Sequence, residues 1–390
     1  MKRGNGFSLI EMMVSIVIML VVLSTATVML IQAQHATDGV ALMANTQENL
    51  RAALHFMTRD LTQAGEGIPP AGVSLPNTAA GTSAVQRPGT ATTFTNYAGT
   101  SYTLLPVITP GSSIGQAAKS VNPTTGAVLV GSPTDVINVM YADNTLVDTA
   151  GNFLNSYPIV QAAPAVPVCN GVINATGLTV TLATGCFQMP GTPTPLAVGN
   201  LILFTNQNGT ALEYVTGVAG QVITFGAGDP AGLNQTGLPN GTVANLKTGG
   251  VFPPTTIQRV WLVSYYVDST TNPSKPQLVR QVNYPNYPVA APANPPQQIG
   301  DCIEDLGFSF DITNSTAPGG TYPIGPGDAP YPFLPDTPGQ IRAVNVFIAG
   351  RSEYPYQGST TPQYFRNNLT TQVSLRSMSF QNQFNTTPIP

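Results

Sequence analysis

The chain begins with an apolar run from Phe7 to Ile31, in which Glu11 is the only ionisable side chain. Twenty-five residues at about 1.5 Å each make a helix of roughly 37 Å, enough to cross a bilayer core of about 30 Å. A carboxylate inside such a segment costs about 2.5–3.5 kcal/mol. The pattern therefore predicts a membrane-spanning helix in which Glu11 needs a partner.

After Ile31 the pattern becomes amphipathic, which predicts that the same helix continues through residues 32–65. We expect its apolar stripe, interrupted at Gln47, to pack on a β-sheet and its charged residues to lie off that stripe. Gly39 is expected to loosen the helix between its two halves, and Gly65, Gly67 and Pro69-Pro70 to end it. The stripe consists of Met43, Leu50, Leu54, Met57 and Leu61, widened by Ala53 and Phe56, and the charged residues off it are Glu48, Arg51, Arg59 and Asp60.

Residues 66–120 are rich in Ala, Thr, Gly and Pro and contain few large apolar side chains before Tyr102. This composition predicts a long surface loop that connects the helix to a sheet, with one strand at Leu104–Ile108. Low-complexity disorder is an alternative for the first half of the loop.

From residue 121 to 390, short runs of alternating or β-branched residues are separated by turn residues, which predicts a β-rich body. Asn208-Gly209 is a hairpin signal between two of the runs. Repeated short strands with such turns favour an antiparallel sheet over βαβ units, so the predicted fold class is α+β. The predicted strands are Ala127–Val130, Asp135–Tyr141, Leu178–Leu182, Leu201–Phe204, Leu212–Val218 and Val222–Phe225.

The composition fits a body outside the cytosol better than a cytosolic enzyme. Only 8% of the 390 residues are charged, whereas 38 are Gly and 36 are Pro. The net charge of −4 contains no basic block, which speaks against a nucleic-acid partner.

Three cysteines fit an oxidising compartment, with one disulfide and one remaining thiol. Cys169 and Cys186 flank a predicted strand, and a bridge between them would close a loop worth about 3 kcal/mol. Neither a second cysteine pair nor a histidine lies near them in the sequence, so a metal site is disfavoured. Cys302 lies in an alternating apolar run and is expected to be a buried thiol.

Three interpretations compete for the N-terminus. A secretory signal peptide has a shorter apolar region and a cleavage site after it, whereas Ser24-Thr25-Ala26 lies inside this run. A plain signal anchor, with Lys2 and Arg3 retained in the cytoplasm, explains the topology but leaves Glu11 unexplained. The third interpretation is cleavage after Gly6 on the cytoplasmic side.

Cleavage after Gly6 would explain both features. Glycine lets an extended backbone approach a protease closely, and the cut would create an α-amine on Phe7, four residues before Glu11. In a staggered bundle of helices, the Glu11 carboxylate of one subunit could meet the Phe7 amine of the next. Such pairing would offset the burial cost and set the axial register, so cleavage would permit assembly.

The residues Gly6-Phe7-Ser8-Leu9-Ile10-Glu11 resemble the prepilin cleavage motif of type IV pilins and type II secretion pseudopilins. The resemblance covers glycine before the cut, phenylalanine after it and glutamate at the fifth mature position. It implies that residues 1–6 are a short leader, that a prepilin peptidase cleaves between Gly6 and Phe7 and that Phe7 is N-methylated. It also implies that subunits polymerise through the helix.

Further blocks resemble PilW-like minor pilins, in discontinuous stretches that cover most of the chain. Residues 48–65 resemble the second half of the helix in those proteins, and the later blocks resemble five of their strands. The Thr/Pro-rich insert near 69–100 and the Tyr/Pro-rich loops at 284–296 and 318–336 depart from that pattern. The strand blocks are Val260–Val267 with Gln277–Arg280, then Ile303–Ile312, Ile341–Arg351 and Thr371–Arg376.

No set of residues predicts catalysis or a cofactor. His35 and His55 would stand about 30 Å apart on one helix, and no nucleophile, phosphate-loop or zinc motif is present. Asp301, Glu304 and Asp305 could serve a calcium ion, but we expect a solvated acidic strand end instead. Recurrent Tyr-Pro dipeptides could bind a partner or glycan, although Tyr that covers apolar surface beside stiff loops is the favoured explanation. They are Tyr284-Pro285, Tyr287-Pro288, Tyr322-Pro323, Tyr331-Pro332 and Tyr354-Pro355.

We therefore expect a non-enzymatic minor pilin that is single-pass in the inner membrane before assembly and exposed at the cell surface afterwards. Its expected partners are other pilins, through the helix, and the prepilin peptidase. The alternatives are a J-type pseudopilin of type II secretion, a tip adhesin that binds a surface ligand, and, least favoured, a membrane-anchored enzyme.

Overall fold

The computed structural model describes most of the helix and body. The described residues are 8–69, 72–79, 83, 85–89, 94, 103–143, 157–160, 171–182, 196–284, 296–312, 321–322, 338–356 and 362–381.

Within these residues a 55-residue helix, α1 (Leu9–Gln63), precedes a series of strands, and a short helix, α2 (Arg376–Gln381), follows them. The strands are β1 (Val73–Ser74), β2 (Leu104–Leu105), β3 (Ile108–Thr109), β4 (Ala117–Val121), β5 (Val128–Pro133), β6 (Ile137–Ala142), β7 (Tyr157–Val160), β8 (Gly171–Ile173), β9 (Thr179–Leu182), β10 (Leu201–Asn206), β11 (Gly209–Tyr214), β12 (Gly217–Ala219), β13 (Val222–Thr224), β14 (Thr255–Asp268), β15 (Gln277–Val282), β16 (Gln297–Asp301), β17 (Ile303–Ile312), β18 (Thr321–Tyr322), β19 (Ile341–Arg351) and β20 (Arg366–Ser374).

The largest sheet is built around β14, which is long enough to pair with two strands on each side. Its first half pairs with β10 and β7, and its second half pairs with β15 and β6. Strands β17, β18, β19 and β20 form a second sheet in the order β18-β17-β19-β20. One described pair, β7 with β8, is parallel, and the remaining described pairs are antiparallel.

The main core lies where α1 meets these sheets. Apolar side chains from α1, β6, β14, β17 and β19 form one buried cluster, in which Leu50, Met57 and Tyr265 are fully buried. A second cluster around Phe204 and Phe225 lies in the part of the large sheet that contains β9–β11 and β13. The predicted α+β architecture, a long helix on antiparallel sheet, is thus confirmed.

Five of the six strands that the pattern predicts for the body agree with the structure to within three residues at each end. The predicted strand Leu212–Val218 is instead divided between β11, which ends at Tyr214, and β12, which begins at Gly217. The predicted hairpin is present, because β10 and β11 pair from Asn206 opposite Gly209, and Gly209 adopts φ of 136°. The strand β6 differs in one respect. All six of its residues are buried, and Asn138, which the alternation would expose, accepts a 2.6 Å hydrogen bond from the buried Arg87.

The segment 66–120 differs from the predicted surface loop. Its described part contains four short strands, β1 to β4, and the apolar residues Val73, Leu75, Val85 and Phe94 are buried in the main core. Strands of two residues are too short to show an alternating pattern. The apolar residues are also scattered among Thr and Pro, so the sequence does not reveal their burial.

Candidate functional site

The first half of α1 stands free of the body. Every residue from Leu9 to Gln34 is exposed, including the large apolar side chains up to Ile31. By length and composition, α1 is the one described helix that can cross a membrane. An apolar surface of this size needs a cover, which a bilayer or the helices of other subunits can supply.

Glu11 has a local partner at the start of this helix. Ser8 is the N-cap residue, and its backbone N–H donates to Glu11 Oε2 over 3.1 Å. The acidic side chain thereby satisfies one of the free N–H groups of the first turn and lies at the positive end of the helix dipole. Ser8 and Glu11 form a Ser-x-x-Glu capping signature that can be recognised in the sequence. Our interpretation of Glu11 considered only a partner in another subunit.

The capping hydrogen bond leaves the carboxylate charge without a described cation. Its direction brings the Glu11 carboxylate back toward the residues that precede the helix. Gly6 and Phe7, the predicted processing residues, lie outside the described residues. A neutral N–H donor satisfies one oxygen and does not cancel the charge, so a cationic partner for Glu11 in another subunit stays a prediction.

The second half of α1 anchors the helix to the body, as the amphipathic pattern predicted. Leu50, Ala53, Met57 and Leu61 are fully buried between the helix and the sheets. Met43 lies at the exposed end of the stripe. The stripe therefore packs from about residue 46 onward.

The charged residue Asp60 is buried within this interface, contrary to the prediction that it lies off the stripe. Its Oδ2 accepts hydrogen bonds of 2.6 Å from Arg280 Nε on β15 and of 2.6 Å from Tyr265 Oη on β14. Its Oδ1 lies 3.4 Å from Tyr141 Oη on β6. One helical carboxylate thus joins three strands of the large sheet.

The electrostatics of this cluster keep its donors protonated. Burial raises the pKa of the Tyr265 and Tyr141 hydroxyls, and the charge of Asp60 raises both further. Burial opposes the charge of Arg280, but the hydrogen bond and charge of Asp60 outweigh it and raise the pKa of the guanidinium. The cluster joins the helix to the sheet through hydrogen bonds and one buried ion pair. Each of its polar side chains is engaged in these contacts, so none is available as a nucleophile or base.

A glycine contact marks the junction between the two halves of α1. The helix is continuous through Gly39 and is not broken there. A Cβ atom on Gly39 would lie 2.8 Å from Cε2 of Tyr356, which follows β19. The missing side chain lets the Tyr356 ring lie against the helix, so Gly39 serves close packing where a looser helix was predicted.

Two of the three carboxylates near Cys302, Asp301 and Glu304, are paired with cationic side chains of the body. Glu304 forms ion pairs with Arg351 over 3.2 Å and with Arg366 over 2.8 Å, and Asp301 lies 3.4 Å from Lys275 Nζ. The described residues contain no group of His, Cys, Asp or Glu that could hold a metal ion. These carboxylates therefore have partners that a calcium site would have to displace.

The described residues test part of the predictions made for the cysteines and for the Tyr-Pro dipeptides. Cys302 is a buried free thiol, as predicted, whereas Cys169 and Cys186 lie outside the described residues. Tyr284 is buried and donates to the backbone carbonyl of Gln86, which fits the packing explanation of its Tyr-Pro dipeptide. Tyr354 is exposed.

The comparisons with known proteins agree with the N-terminal geometry. Residues 1–27 match the family model described as "Prokaryotic N-terminal methylation motif". No curated protein and no solved structure matches the chain. The motif and the exposed apolar helix support a protein of the type IV pilin or pseudopilin kind that is anchored in a membrane, a structural subunit and substrate of processing.

Proposed function

We propose that this protein is a minor pilin of a type IV pilus, resembling the PilW-like group, that primes assembly or caps the pilus tip. The observation that carries the proposal is the coincidence of the methylation motif at residues 1–27 with an apolar half-helix that no part of the described body covers. A helix that served only as an anchor could cap its first turn with an uncharged glutamine, so it would not need the charge of Glu11.

The proposed processing follows from the motif. Prepilin peptidase removes residues 1–6 by cutting between Gly6 and Phe7, and Phe7 is then N-methylated. The cut turns an internal amide into an amine, which is cationic at neutral pH because an α-amino group has a pKa near 7.7–8.0. The Glu11 carboxylate of one subunit then pairs with the Phe7 amine of its neighbour.

The size of the body supports a place at the end of the filament. Residues 66–390 follow a single helix, and such a bulky body repeated along a thin fibre would crowd the surface of the shaft. A subunit used once, at the tip or in the priming complex, avoids that crowding. The protein resides in the inner membrane before assembly and at the cell surface afterwards.

The helix and motif suit a J-type pseudopilin of type II secretion equally well, so filament location decides between the two systems. A tip adhesin remains the binding-module alternative, with a surface ligand at the Tyr/Pro-rich loops. Deletion of residues 318–336 should then abolish surface binding while piliation survives.

A disulfide between Cys169 and Cys186 is part of the proposal for the exported body. Peptide mass mapping under non-reducing conditions should find these two residues linked and Cys302 free. Recovery of Cys169 and Cys186 as free thiols would remove the disulfide from the proposal.

The deciding experiment locates the body on sheared filaments with gold-labelled antibodies. A minor pilin of this type should be labelled at one end, and the Gly6→Val variant, which the peptidase should not cleave, should remain in the membrane and give no filament label. Label along the whole shaft would contradict a minor role. Absence of label from pili, together with loss of protein secretion on gene deletion, would assign the chain to a secretion pseudopilus.

A further inference from the structure

The hairpin formed by β4 and β5 is a separate two-stranded sheet on the surface of the body. Its first strand is held in place, because Lys119 Nζ donates to the carbonyl of Ser269 over 2.8 Å and Ser120 Oγ donates to Glu304 Oε1 over 2.5 Å. The second strand pairs only with the first among the described residues. The hairpin is therefore fixed on one side and open on the other.

The open strand is unusually apolar for its exposure. All six residues of β5 are exposed, and Val128, Leu129 and Val130 expose 40%, 50% and 68% of their surface. The strand contains no charged residue. Proteins ordinarily protect a free edge with charges, bulges or proline, and here Pro133 and a register shift opposite it protect only the end of the strand.

The backbone of β5 presents hydrogen-bonding groups along this edge. The N–H of Asn122 donates to the carbonyl of Ala127, and the ladder continues with Val121 opposite Val128 and Lys119 opposite Val130. Backbone groups alternate in direction along an antiparallel pair. The N–H and C=O groups of Val128 and Val130 therefore point away from β4.

The hairpin points toward the end of the body from which the apolar half of α1 emerges. At its base, Asp135 bonds to Leu306 and Phe308 of β17, and nearer its tip Ser120 reaches Glu304, two residues closer to the start of that strand. The residues just before β17 lie beside the middle of the helix, where Asn49 donates to the carbonyl of Asp301. The tip is thus directed toward the N-terminal side of the helix.

We propose that the free edge of β5 is a docking surface for an extended segment of the neighbouring pilin-like subunit, which adds a third strand to the hairpin. This inference rests on the proposed function. A strand would satisfy both the apolar side chains and the outward backbone groups of Val128 and Val130, and strand addition to an exposed edge is a general mode of recognition. A lipid surface would cover the side chains and leave the backbone groups without partners. A second copy of the chain is disfavoured because the proposed subunit is used once.

The test uses photocrosslinking of the full chain in cells that make filaments. A photoreactive amino acid replaces Leu129, and in a matched control it replaces Val218, an exposed valine on the separate edge strand β12. Irradiation should link the first probe, and not the second, to another subunit that carries a prepilin-type N-terminal motif. Mass spectrometry of the adduct identifies the partner and the linked segment.

Two variants separate backbone pairing from contact alone. Val130→Pro removes an outward N–H without touching the hydrogen bonds to β4, so it should lower the adduct yield at least tenfold. Val130→Thr keeps the N–H and a β-branched side chain, and it should retain the yield. Equal proteolytic stability of all the variants shows that the body remains folded.

Several outcomes would overturn the inference: adducts with lipid only, an adduct of twice the chain's own mass, equal adducts at both probe positions, or insensitivity to Val130→Pro. A chain that enters filaments normally but forms no adduct at position 129 would refute the docking surface and leave the proposed function intact. A chain absent from all filaments would refute both, and the gold label distinguishes the two cases.

Discussion

At the scale of single residues, Asp60 shows how a charge can organise an interface that is otherwise apolar. Its carboxylate is fully buried and lies 2.6 Å from Arg280 Nε. Removing one partner of a buried ion pair leaves the other charge uncompensated, at a cost of about 3–5 kcal/mol. Replacing both partners by apolar side chains of similar volume is, by contrast, often neutral, so we infer that the pair serves mainly to hold α1 in one position on the sheet.

We expect Asp60→Asn to lower the free energy of unfolding by about 3 kcal/mol, because Arg280 would remain buried without a counter-charge. Urea unfolding of the full chain in detergent, followed by near-ultraviolet circular dichroism, measures the change. Asp38→Asn, at an exposed position of the same helix, is the matched control and should have no effect. The double variant Asp60→Leu with Arg280→Met should recover most of the loss, and failure to recover it would contradict the ion-pair explanation.

The burial of Asp60 could have been predicted from the sequence, but its partners could not. Thr46, Ala53 and Asp60 follow one another at intervals of seven on one line of the helix, and all three are buried. Ala53 was already assigned to the apolar stripe, so its line could have been followed to Asp60. The partners could not be predicted, because Arg280 lies 220 positions away in the chain and only the fold brings it to the helix.

Glu213 is a second buried carboxyl, and its setting gives a pH dependence. Burial raises its pKa well above the ordinary value of 4.5, although the N–H of Val243 opposes the shift, and the charge of Asp229 adds to it. A carboxyl whose pKa is higher in the folded than in the unfolded state stabilises the fold fully below the unfolded value. That contribution is lost as the pH rises through the folded value.

Glu213→Gln should therefore raise the thermal midpoint at pH 7, and its advantage should shrink as the pH approaches 4.5. Glutamine can still accept the hydrogen bond from Val243, so the comparison isolates the charge. Calorimetry at pH 4, 5.5 and 7 measures the difference, with Glu66→Gln at an exposed position as the control. A constant difference across that pH range would show that the charge of Glu213 is not the cause.

At the scale of elements, the longer strands could be predicted from the sequence and the shortest could not. The runs Ile303–Ile312 and Ile341–Arg351, which were predicted from their resemblance to strands of PilW-like proteins, coincide with β17 and β19. The strands β1 to β3 have two residues each, and their burial depends on the larger elements that surround them. Gly39 was likewise expected only to loosen the helix, because its neighbour in space, Tyr356, is remote in sequence.

A double-mutant cycle tests the role of Gly39. Alanine stabilises a helix interior by about 1 kcal/mol relative to glycine, yet a Cβ atom at this position would meet the Tyr356 ring at 2.8 Å. Gly39→Ala should thus yield no gain in the natural chain but about 1 kcal/mol in a Tyr356→Ala background. Urea unfolding of the four chains measures the coupling, and equal effects in both backgrounds would mean that the ring moves aside freely.

At the scale of the whole molecule, one continuous helix connects two environments. Its first half is exposed and apolar, and its second half packs on the sheets through the buried residues Leu50, Met57 and Asp60. Any force applied to the first half within a filament would pass along the helix backbone into that interface. Whatever binds the first half of the helix therefore also sets the position of the body. This arrangement suits a subunit whose place in an assembly is determined by its helix.

In our proposal, the axial position of the first half of α1 in a filament depends on the charge of Glu11. Because Glu11 also accepts the capping hydrogen bond from Ser8, a test has to separate the charge from the cap. Glutamine can replace glutamate in a capping box, so Glu11→Gln keeps the cap and loses the charge, whereas Glu11→Val loses both. If charge pairing with the Phe7 amine sets the register, both variants should be cleaved normally but enter filaments about tenfold less, which corresponds to about 1.4 kcal/mol. Ser15→Ala, one turn further along the exposed helix, should have no effect.

Immunoblots of membrane and sheared-filament fractions measure the fraction of each variant that enters filaments. Normal incorporation of Glu11→Gln beside failure of Glu11→Val would assign Glu11 to helix capping and remove it from the assembly mechanism.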